Sequence, residues 1–409
     1  MTELVRDVLG FMDGYEDYYQ TRKRKRSAAA QVTYEATVEA VVCDLIHREL
    51  EVTGGQVHLT QSNQVLRRKS RYKGTALGKV LPDILKVMAA EEMSFIALTK
   101  GQRKFTILDE ALTFAVNGKQ TILAAGSRLM NLIKHFGLTF TDIGRSPEEE
   151  VILLRGPKPR ADKPGELEEY DDTEETNTLR QQMQVINEWL EAAEIECTNP
   201  ESNLHNRHMK RIFNNSDFAQ SGRLYGGFWQ PMTHAQRLDS IILDDDSVVE
   251  LDYGQVGLLL LYGIEGAVPP DGDLYDLSEY GIPTSCRPGI KKVIQAAINA
   301  SKPLGRLPKG ARKTISASIS LKDVLAAVGK RHPLIVHRFG AGVGMQIMRL
   351  EADILVDVLL ALKDRNITGL PIHDAVLVNG NFEAEAKDIM SRVFREKVGL
   401  TPVVSVEHP

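Results

Sequence analysis

The sequence predicts an α+β fold in which a mainly helical N-terminal region precedes an antiparallel sheet with helices. Between Ser27 and Leu50 the apolar residues recur at helical spacing, and a pair of glycines then ends the pattern. In the C-terminal half the apolar residues alternate up to Asp252 and again on both sides of His373 and Asp374. These patterns predict helices in the first half of the chain and strands, helices and tight turns in the second.

The composition is that of an ordinary globular protein. The chain has 409 residues, of which 43% are hydrophobic and 26% charged, and no apolar run reaches the roughly 18 residues of a membrane span. Its beginning has neither the pattern of a secretory signal nor that of a transit peptide, and its three cysteines are too scattered for a disulfide framework. We therefore expect a cytoplasmic protein of two or three domains with no membrane partner.

The charge is unevenly distributed along the chain. A net charge of -5 argues against nucleic-acid binding when it is taken as a single number. Basic residues nevertheless cluster at 22–26, 67–73 and 302–313, whereas 148–175 holds much of the acid. Basic surfaces and an acidic linker can therefore coexist in one molecule.

Residues 1–155 are expected to form a helical, basic domain. A helical pattern at 80–88 is followed by an alternating segment with a Lys-Gly-Gln turn, an order typical of a winged helix. Lys100, Arg103 and Lys104 would then contact DNA phosphates from the hairpin. A solvated surface turn is an equally good interpretation of these three residues.

A Pro-, Gly- and acid-rich segment predicts the domain boundary. Residues 156–178 lack apolar periodicity, which indicates an acidic linker or exposed loop. An amphipathic helical pattern follows, so 179–250 is expected to begin with a helix, and the strand and turn patterns come later. The residues that carry chemistry are expected in this second half.

Two acids lie at the ends of predicted strands. Asp252 stands at a strand-to-helix junction, and Asp374 stands beside His373 at the tip of a hairpin. Carboxylates from distant segments are what a two-magnesium site requires, because Mg²⁺ prefers oxygen ligands and must bridge protein acids and substrate phosphates. An aspartate in a turn is more often a cap or an Asx-turn, so either acid alone is a weak indication.

The segment between the two acids strengthens their pairing. Arg287, Lys291 and Gln295 follow one another at four-residue steps and therefore share one face of a helix. Pro288 suits the first turn of that helix. A cationic helix face is an expected component of a site that transfers phosphoryl groups.

These segments, in this order, resemble the family A DNA polymerases, whose palm and fingers are shared with single-subunit phage RNA polymerases. The matching segments are Ser221-Gly222-Arg223-Leu224, Leu251-Asp252-Tyr253-Gly254-Gln255, Asp271-Gly272-Asp273-Leu274-Tyr275, Arg287 with Lys291, and Ile372-His373-Asp374. The resemblance implies a right-hand palm and fingers. Residues 179–250 would supply a thumb-like helix and the lead into the palm, and 251–409 the palm, with a fingers insertion at about 270–345.

The resemblance implies metal and nucleic-acid contacts for five residues. Asp252 and Asp374 would hold two Mg²⁺ ions, or Mn²⁺ in their place, and the backbone carbonyl of Tyr253 would add an oxygen ligand. Arg223 would contact the nucleic acid near the growing end, and His373 would position the site or contact the primer terminus. A surface arginine and a histidine that merely fills a turn are the alternatives.

The same resemblance places the incoming nucleotide. Arg287 and Lys291 would neutralise its phosphates, while Gln295 stands where the family has large, often aromatic side chains, and Gln255 belongs to the first metal motif. Gly257 stands where family A DNA polymerases have a glutamate that blocks the ribose 2′-hydroxyl, and where the RNA polymerases also have glycine. Ribonucleotides could therefore enter, although close helix packing also explains such a glycine.

Two further departures from the family limit the function. Ala375 replaces the glutamate usual after the second aspartate, and no acids match the proofreading exonuclease. We expect a DNA polymerase of phage or mobile-element type that lacks proofreading, has relaxed ribose discrimination, can start primers, and uses a DNA template with dNTPs or NTPs. A DNA-directed single-subunit RNA polymerase or primase is the first alternative, and a non-catalytic DNA-binding replication protein is the second.

Overall fold

In the computed structural model the chain divides into two compact units, Met1–Glu150 and Val151–Pro409. The structure describes the chain except positions 1, 60, 61, 75, 76, 102, 110, 111, 119, 146–148 and 161, and leaves the side chains at 63, 103–109, 112–118 and 141 undescribed. The predicted α+β class with antiparallel sheets is confirmed. None of the described helices is long and apolar enough to cross a membrane.

Unit 1 mixes helices with short strands. In chain order its elements are α1 (Thr2–Tyr18), α2 (Ala28–Glu51), β1 (Gln56–Leu59), α3 (Asn63–Arg67), α4 (Leu81–Met88), β2 (Ile96–Thr99), β3 (Arg103–Asp109), β4 (Leu112–Gly118), β5 (Thr121–Ala125) and α5 (Ser127–Phe136). Strands β1, β5 and β2 form an antiparallel sheet in that order, and β3 pairs with β4. The unit has its own core, which includes Leu45, Leu85 and Phe95.

The strand pairing around Lys100 differs from the predicted hairpin. The strands on either side of this turn, β2 and β3, belong to different sheets, because β2 pairs with β5 and β3 with β4. Pairing with β5 brings Ile96 and Leu123 into the buried core. The apolar surface buried in this way favours the pairing, and a local turn pattern does not reveal it. Lys100 is exposed, whereas the side chains of Arg103 and Lys104 lie outside the described residues.

Unit 2 is built around a larger antiparallel sheet. Its elements are β6 (Ile152–Leu154), α6 (Glu174–Ala192), β7 (Ile195–Cys197), β8 (Lys210–Asn214), β9 (Asp217–Tyr225), α7 (His234–Ser240), β10 (Ile241–Leu243), β11 (Asp246–Gly254), α8 (Val256–Ile264), α9 (Arg287–Asn299), α10 (Leu321–Arg331), α11 (Gly344–Asp364), β12 (Gly369–Ile372), β13 (Ala375–Asn379), α12 (Glu383–Val398) and β14 (Val403–Glu407). The strand order is β12-β13-β11-β10-β7, with β14 also paired to β11.

A smaller sheet and the helices complete unit 2. Strand β6 pairs parallel with β8, which pairs antiparallel with β9. Helix α8 is apolar on all sides, and its leucines from Leu258 to Leu261 are all buried. Helix α11 buries one long face in the same core. Helices α7, α11 and α12 pack against strands of the large sheet.

The segment expected to be an acidic linker, 156–178, lies within unit 2. The amide of Glu168 donates to the carbonyl of Leu154 at 2.9 Å, and the amide of Gly156 donates to the carbonyl of Glu166 at 2.9 Å. Helix α6 already begins inside the segment, behind a capping box at Thr173. The segment lacks apolar periodicity because most of it is irregular backbone tied to β6, which composition cannot distinguish from a linker.

Candidate functional site

The strand register of the large sheet brings Asp252 and Asp374 together. Asp252 is the Cα partner of Ala375 across β11 and β13. Ile372 is the partner of the same alanine across β12 and β13, so His373 and Asp374 form the two-residue turn between these strands. Ala375, the neighbour of Asp252 on β13, therefore directly follows Asp374. The two acids lie at the same end of the sheet.

Both acids lie beside a backbone conformation that is unusual for a non-glycine residue. His373 has a φ of 55° and Gln255, the N-cap of α8, has a φ of 60°. Left-handed backbone costs on the order of 1 kcal/mol for such residues, and it is concentrated at functional sites. Two left-handed residues thus lie at the end of the sheet that carries the acids, one directly before Asp374 and one three residues after Asp252.

The carboxylate of Asp252 is held in a setting that favours a bound cation. Burial and the negative charge of Asp374 raise the pKa of Asp252 to about 7, while the ammonium of Lys291 opposes the shift. Its buried Oδ1 atom has no hydrogen-bond partner among the described residues. A divalent cation would satisfy this oxygen and relieve the repulsion between the two acids, so the donor set fits such an ion.

The site offers two carboxylates instead of a complete protein cage. Across the described residues, no group of three or more His, Cys, Asp or Glu side chains is arranged to hold a metal ion. The Tyr253 side chain is buried, and its hydroxyl donates to the carbonyl of Met390 at 2.8 Å, so only the backbone of Tyr253 is left for a ligand role. Mg²⁺ is commonly bound in this way, by one or two carboxylates, with water and substrate phosphates completing its shell.

A third acid, Glu351 of α11, adjoins the pair. It is buried and accepts from Arg223 Nε at 2.8 Å and Nη2 at 2.5 Å. Burial raises its pKa to about 7, and the charges of Asp374 and Asp252 act in the same direction against the effect of Arg223. The Arg223 guanidinium, which the sequence assigned to nucleic acid, is thus ion-paired beside the carboxylates. Glu351 was not among the site residues predicted from the sequence.

His373 presents a neutral ring next to Asp374. Burial lowers its pKa, and the positive charge of Arg223 lowers it further. Its buried Nδ1 has no hydrogen-bond partner among the described residues. The imidazole packs edge-on against the partly exposed ring of Tyr225, with 5.8 Å between centroids. The histidine therefore has an unused polar atom beside the acids.

Trp229 holds the strand that leads into this turn. Its indole is fully buried, and Nε1 donates to the carbonyl of Pro371 at 2.9 Å. The side chain of Gln230 also approaches that carbonyl, at 3.3 Å. Pro371 precedes His373 by two residues, so this contact anchors the hairpin that carries Asp374.

Helix α9 carries the two predicted cations. One is held by neighbouring side chains, and the other is exposed to solvent. Arg287 pairs with Asp273 and lies over the ring of Tyr275, 5.4 Å from its centroid. Lys291 and Gln295 are both exposed, and Lys291 is near enough to Asp252 to lower its pKa. The exposed face of α9 therefore offers one exposed lysine and one anchored arginine to an anion.

Gln255 organises the loop before α9. Its Oε1 accepts from the amide of Leu274 at 2.5 Å. The carbonyl of Leu274 accepts from Nε2 of the buried His332 at 2.8 Å, and Nδ1 of that histidine accepts from the Tyr262 hydroxyl at 2.9 Å. Gln255, expected to contact the nucleotide, thus uses its side-chain oxygen to fix the loop that holds Arg287.

Gly257 is not required for close packing. A Cβ atom built on it would meet nothing within 4 Å. The alternative explanation from the sequence, that a glycine is needed because α8 packs tightly there, is wrong. The space beside the first turn of α8 is open, so this position can admit part of a ligand.

Unit 2 thus gathers a carboxylate pair, a third buried acid with its arginine, and a lysine on an exposed helix face. Such a set can bind a divalent cation together with a polyanionic substrate. Compared with protein-family models and with curated proteins, the chain matches none of them.

Proposed function

We propose that the chain is a template-directed nucleotidyltransferase, a DNA polymerase with a palm like that of family A and without proofreading. The observation that carries this proposal is the placement of Asp252 and Asp374 at one end of an antiparallel sheet. Lys291, on a separate helix, is near enough to Asp252 to lower the pKa of that acid. The order of the motifs along the sequence supports the same function.

The reaction would join a primer 3′-oxygen to the α-phosphorus of a nucleoside triphosphate. The bond from that phosphorus to the oxygen that bridges the α- and β-phosphates breaks, pyrophosphate leaves, and the hydroxyl proton passes to solvent water. Divalent ions bound by Asp252 and Asp374 would stabilise the attacking and the leaving oxygen. Lys291 would neutralise the triphosphate, and Arg287 would keep a second positive charge at the start of α9, where the helix dipole also favours phosphate.

Arg223 and His373 would act on the primer side of the site. Arg223 would contact the sugar-phosphate backbone while its guanidinium remains paired with Glu351. His373 is neutral near pH 7 because its pKa is lowered, and it can offer one ring nitrogen to a hydroxyl. Both side chains would position the primer end. They would not stabilise the charge that develops on the transferred phosphate.

Primer extension by the purified full chain tests this proposal. Asp252→Asn and Asp374→Asn should each slow nucleotide incorporation by about a hundredfold or more, because charge stabilisation of the transferred phosphate is lost. The matched control is Asp388→Asn, an exposed aspartate on α12, which should leave the rate unchanged. Full synthesis by either active-site variant would exclude the metal assignment, and folded wild-type protein that incorporates no nucleotide would exclude the function.

A DNA-directed RNA polymerase or primase is the second candidate, and the open space at Gly257 favours it. No Cβ or longer side chain there obstructs a ribose 2′-hydroxyl. The same reactions, run with NTPs in place of dNTPs and with or without primer, separate the two. Preferential use of NTPs without a primer would assign RNA synthesis, whereas preferential use of dNTPs on a primer would assign DNA synthesis.

A further inference from the structure

Helix α1 of unit 1 carries a stripe of exposed aromatic rings. One side of the helix buries Leu4, Val8 and Met12 in the core of the unit. Along the flank of that side lie Phe11, Tyr15 and Tyr18, and Tyr19 follows directly after the helix; Phe11 is 47%, Tyr18 81% and Tyr19 46% exposed. Three exposed aromatic rings within so short a segment are unusual on a protein surface and indicate a binding site.

The rings are ordered by contacts with each other and with α5. The ring centroids of Tyr15 and Tyr19 are 4.4 Å apart, and those of Tyr18 and Tyr19 are 4.9 Å apart. The Tyr19 hydroxyl donates to Glu92 Oε1 at 3.1 Å, and Arg128 donates to the carbonyl of Glu92 at 2.9 Å. The guanidinium of Arg128 also lies over the Phe11 ring, 4.9 Å from its centroid. A cation therefore extends the stripe.

A basic loop directly follows the stripe. Its four cations are all exposed and form no ion pair with any residue that the structure describes: Arg22, Lys23, Arg24 and Lys25. The next residue, Arg26, is anchored, since it pairs with Glu16 at 2.5 Å and lies over the Tyr34 ring at 3.5 Å. The free cations are thus held next to the aromatic rings.

We propose that this surface, formed by the aromatic stripe of α1 and the loop 22–25, binds single-stranded nucleic acid. Unpaired bases stack on aromatic side chains and on arginine, while neighbouring cations contact the phosphates. A duplex keeps its base faces stacked inside and offers little to such rings. The binding goes beyond the proposed synthesis and does not depend on it, because no residue of the carboxylate site takes part.

The charge of α1 argues against a membrane surface as the partner. Helices that lie on anionic lipid carry lysines and arginines along their polar face. Helix α1 instead has five acids and a single base: Glu3, Asp7, Asp13, Glu16 and Asp17 against Arg6. Its cations come only after the helix has ended, where they can follow a phosphate backbone.

Fluorescence anisotropy with the full chain tests the proposal, using a labelled oligothymidine of about 20 nucleotides and no nucleotide substrate. Tyr18→Ala should weaken binding about five- to a hundredfold, whereas Tyr18→Phe, which keeps the ring, should not. The double variant Lys23→Ala with Lys25→Ala should reduce the slope of log affinity against log salt by about 1.4. The matched control removes Lys86 and Lys134, exposed lysines on α4 and α5, and should leave the affinity unchanged.

Three results would overturn the proposal. One is equal affinity of the Tyr18→Ala protein and the lysine control for the oligonucleotide. Another is equally tight binding of a duplex of the same length, and the third is binding of phosphatidylserine vesicles with no binding of the oligonucleotide. Asp252→Asn should bind the oligonucleotide like the wild type, so failure of synthesis and failure of this binding are separate outcomes.

Discussion

At the residue scale, Asp252 and Glu351 share an environment that disfavours their charge. Each is withdrawn from water, and each also experiences the negative charge of Asp374. Lys291 opposes this effect at Asp252, and Arg223 opposes it at Glu351. Acids placed together in this way do not stabilise a fold unless something positive joins them. Their arrangement is better explained by a bound cation than by structure alone.

The raised pKa values predict how stability changes with pH when no metal is present. Asp252 and Glu351 have a pKa of about 7 in the folded protein, against about 4 in an unfolded chain. Between these values the folded state binds more protons, so the stability they contribute at low pH is lost as pH rises through about 7. In thermal unfolding with EDTA, this contribution should lower the midpoint between about pH 5 and pH 8.

The variant Asp252→Asn isolates that contribution, because it removes one of the two titrating carboxylates. Its midpoint should fall less than that of the wild type over the same range, and Mg²⁺ should raise the wild-type midpoint more at the upper pH than at the lower one. Identical pH profiles for the two proteins would contradict the assignment.

At the element scale, the hairpin that carries Asp374 depends on a residue far from it in sequence. Trp229→Phe keeps an aromatic ring but removes the indole N–H that reaches the Pro371 carbonyl. The Pro371 carbonyl keeps its contact with Gln230, so the free energy of unfolding should fall by about 0.5–1.5 kcal/mol, the net contribution of one hydrogen bond. Urea unfolding measures it, and Mg²⁺ should stabilise the variant less than the wild type because the turn is less well held.

The matched control for that substitution is Trp189→Phe on α6. Its indole donates no hydrogen bond to any residue that the structure describes, and its side chain is only partly buried. It should lose clearly less stability than Trp229→Phe. Equal losses would mean that ring volume, and not the hydrogen bond to β12, determines the effect.

Sequence patterns predicted those elements whose signals are local. Helix α2 spans Ala28–Glu51 where the periodicity indicated a helix from Ser27 to Leu50, because Ser27 caps it and a Gly-Gly pair follows. Helix α9 begins at Arg287, as Pro288 indicated. The pairing of β2 with β5 was missed because strand partners are set by which apolar faces meet, and that is not local.

The same distinction applies to the site. Asp252 and Asp374 could be singled out because both end alternating apolar runs in the sequence. Glu351 could not, since it lies in an apolar helix where an acid has no motif around it. The signal for Glu351 is its position: it lies among the residues that α11 buries, and a buried acid requires a partner. That partner, Arg223, is distant in sequence, so only the fold joins them.

At the scale of the whole molecule, the two units have separate hydrophobic cores. One core contains residues from Leu4 to Leu138, and the other contains residues from Val151 to Val404. A unit with its own core is expected to fold without the rest of the chain. The division between Glu150 and Val151 therefore defines where the chain can be cut.

A fragment that begins at Val151 should fold alone and keep the carboxylate site. We expect it to unfold in one cooperative transition by circular dichroism and to gain stability from Mg²⁺, because every residue of that site lies in unit 2. It should bind oligothymidine more weakly than the full chain, since the aromatic stripe and the basic loop are absent. The same fragment with Asp252→Asn is the control and should gain less from Mg²⁺. A fragment without a cooperative transition would show that unit 2 needs unit 1 in order to fold.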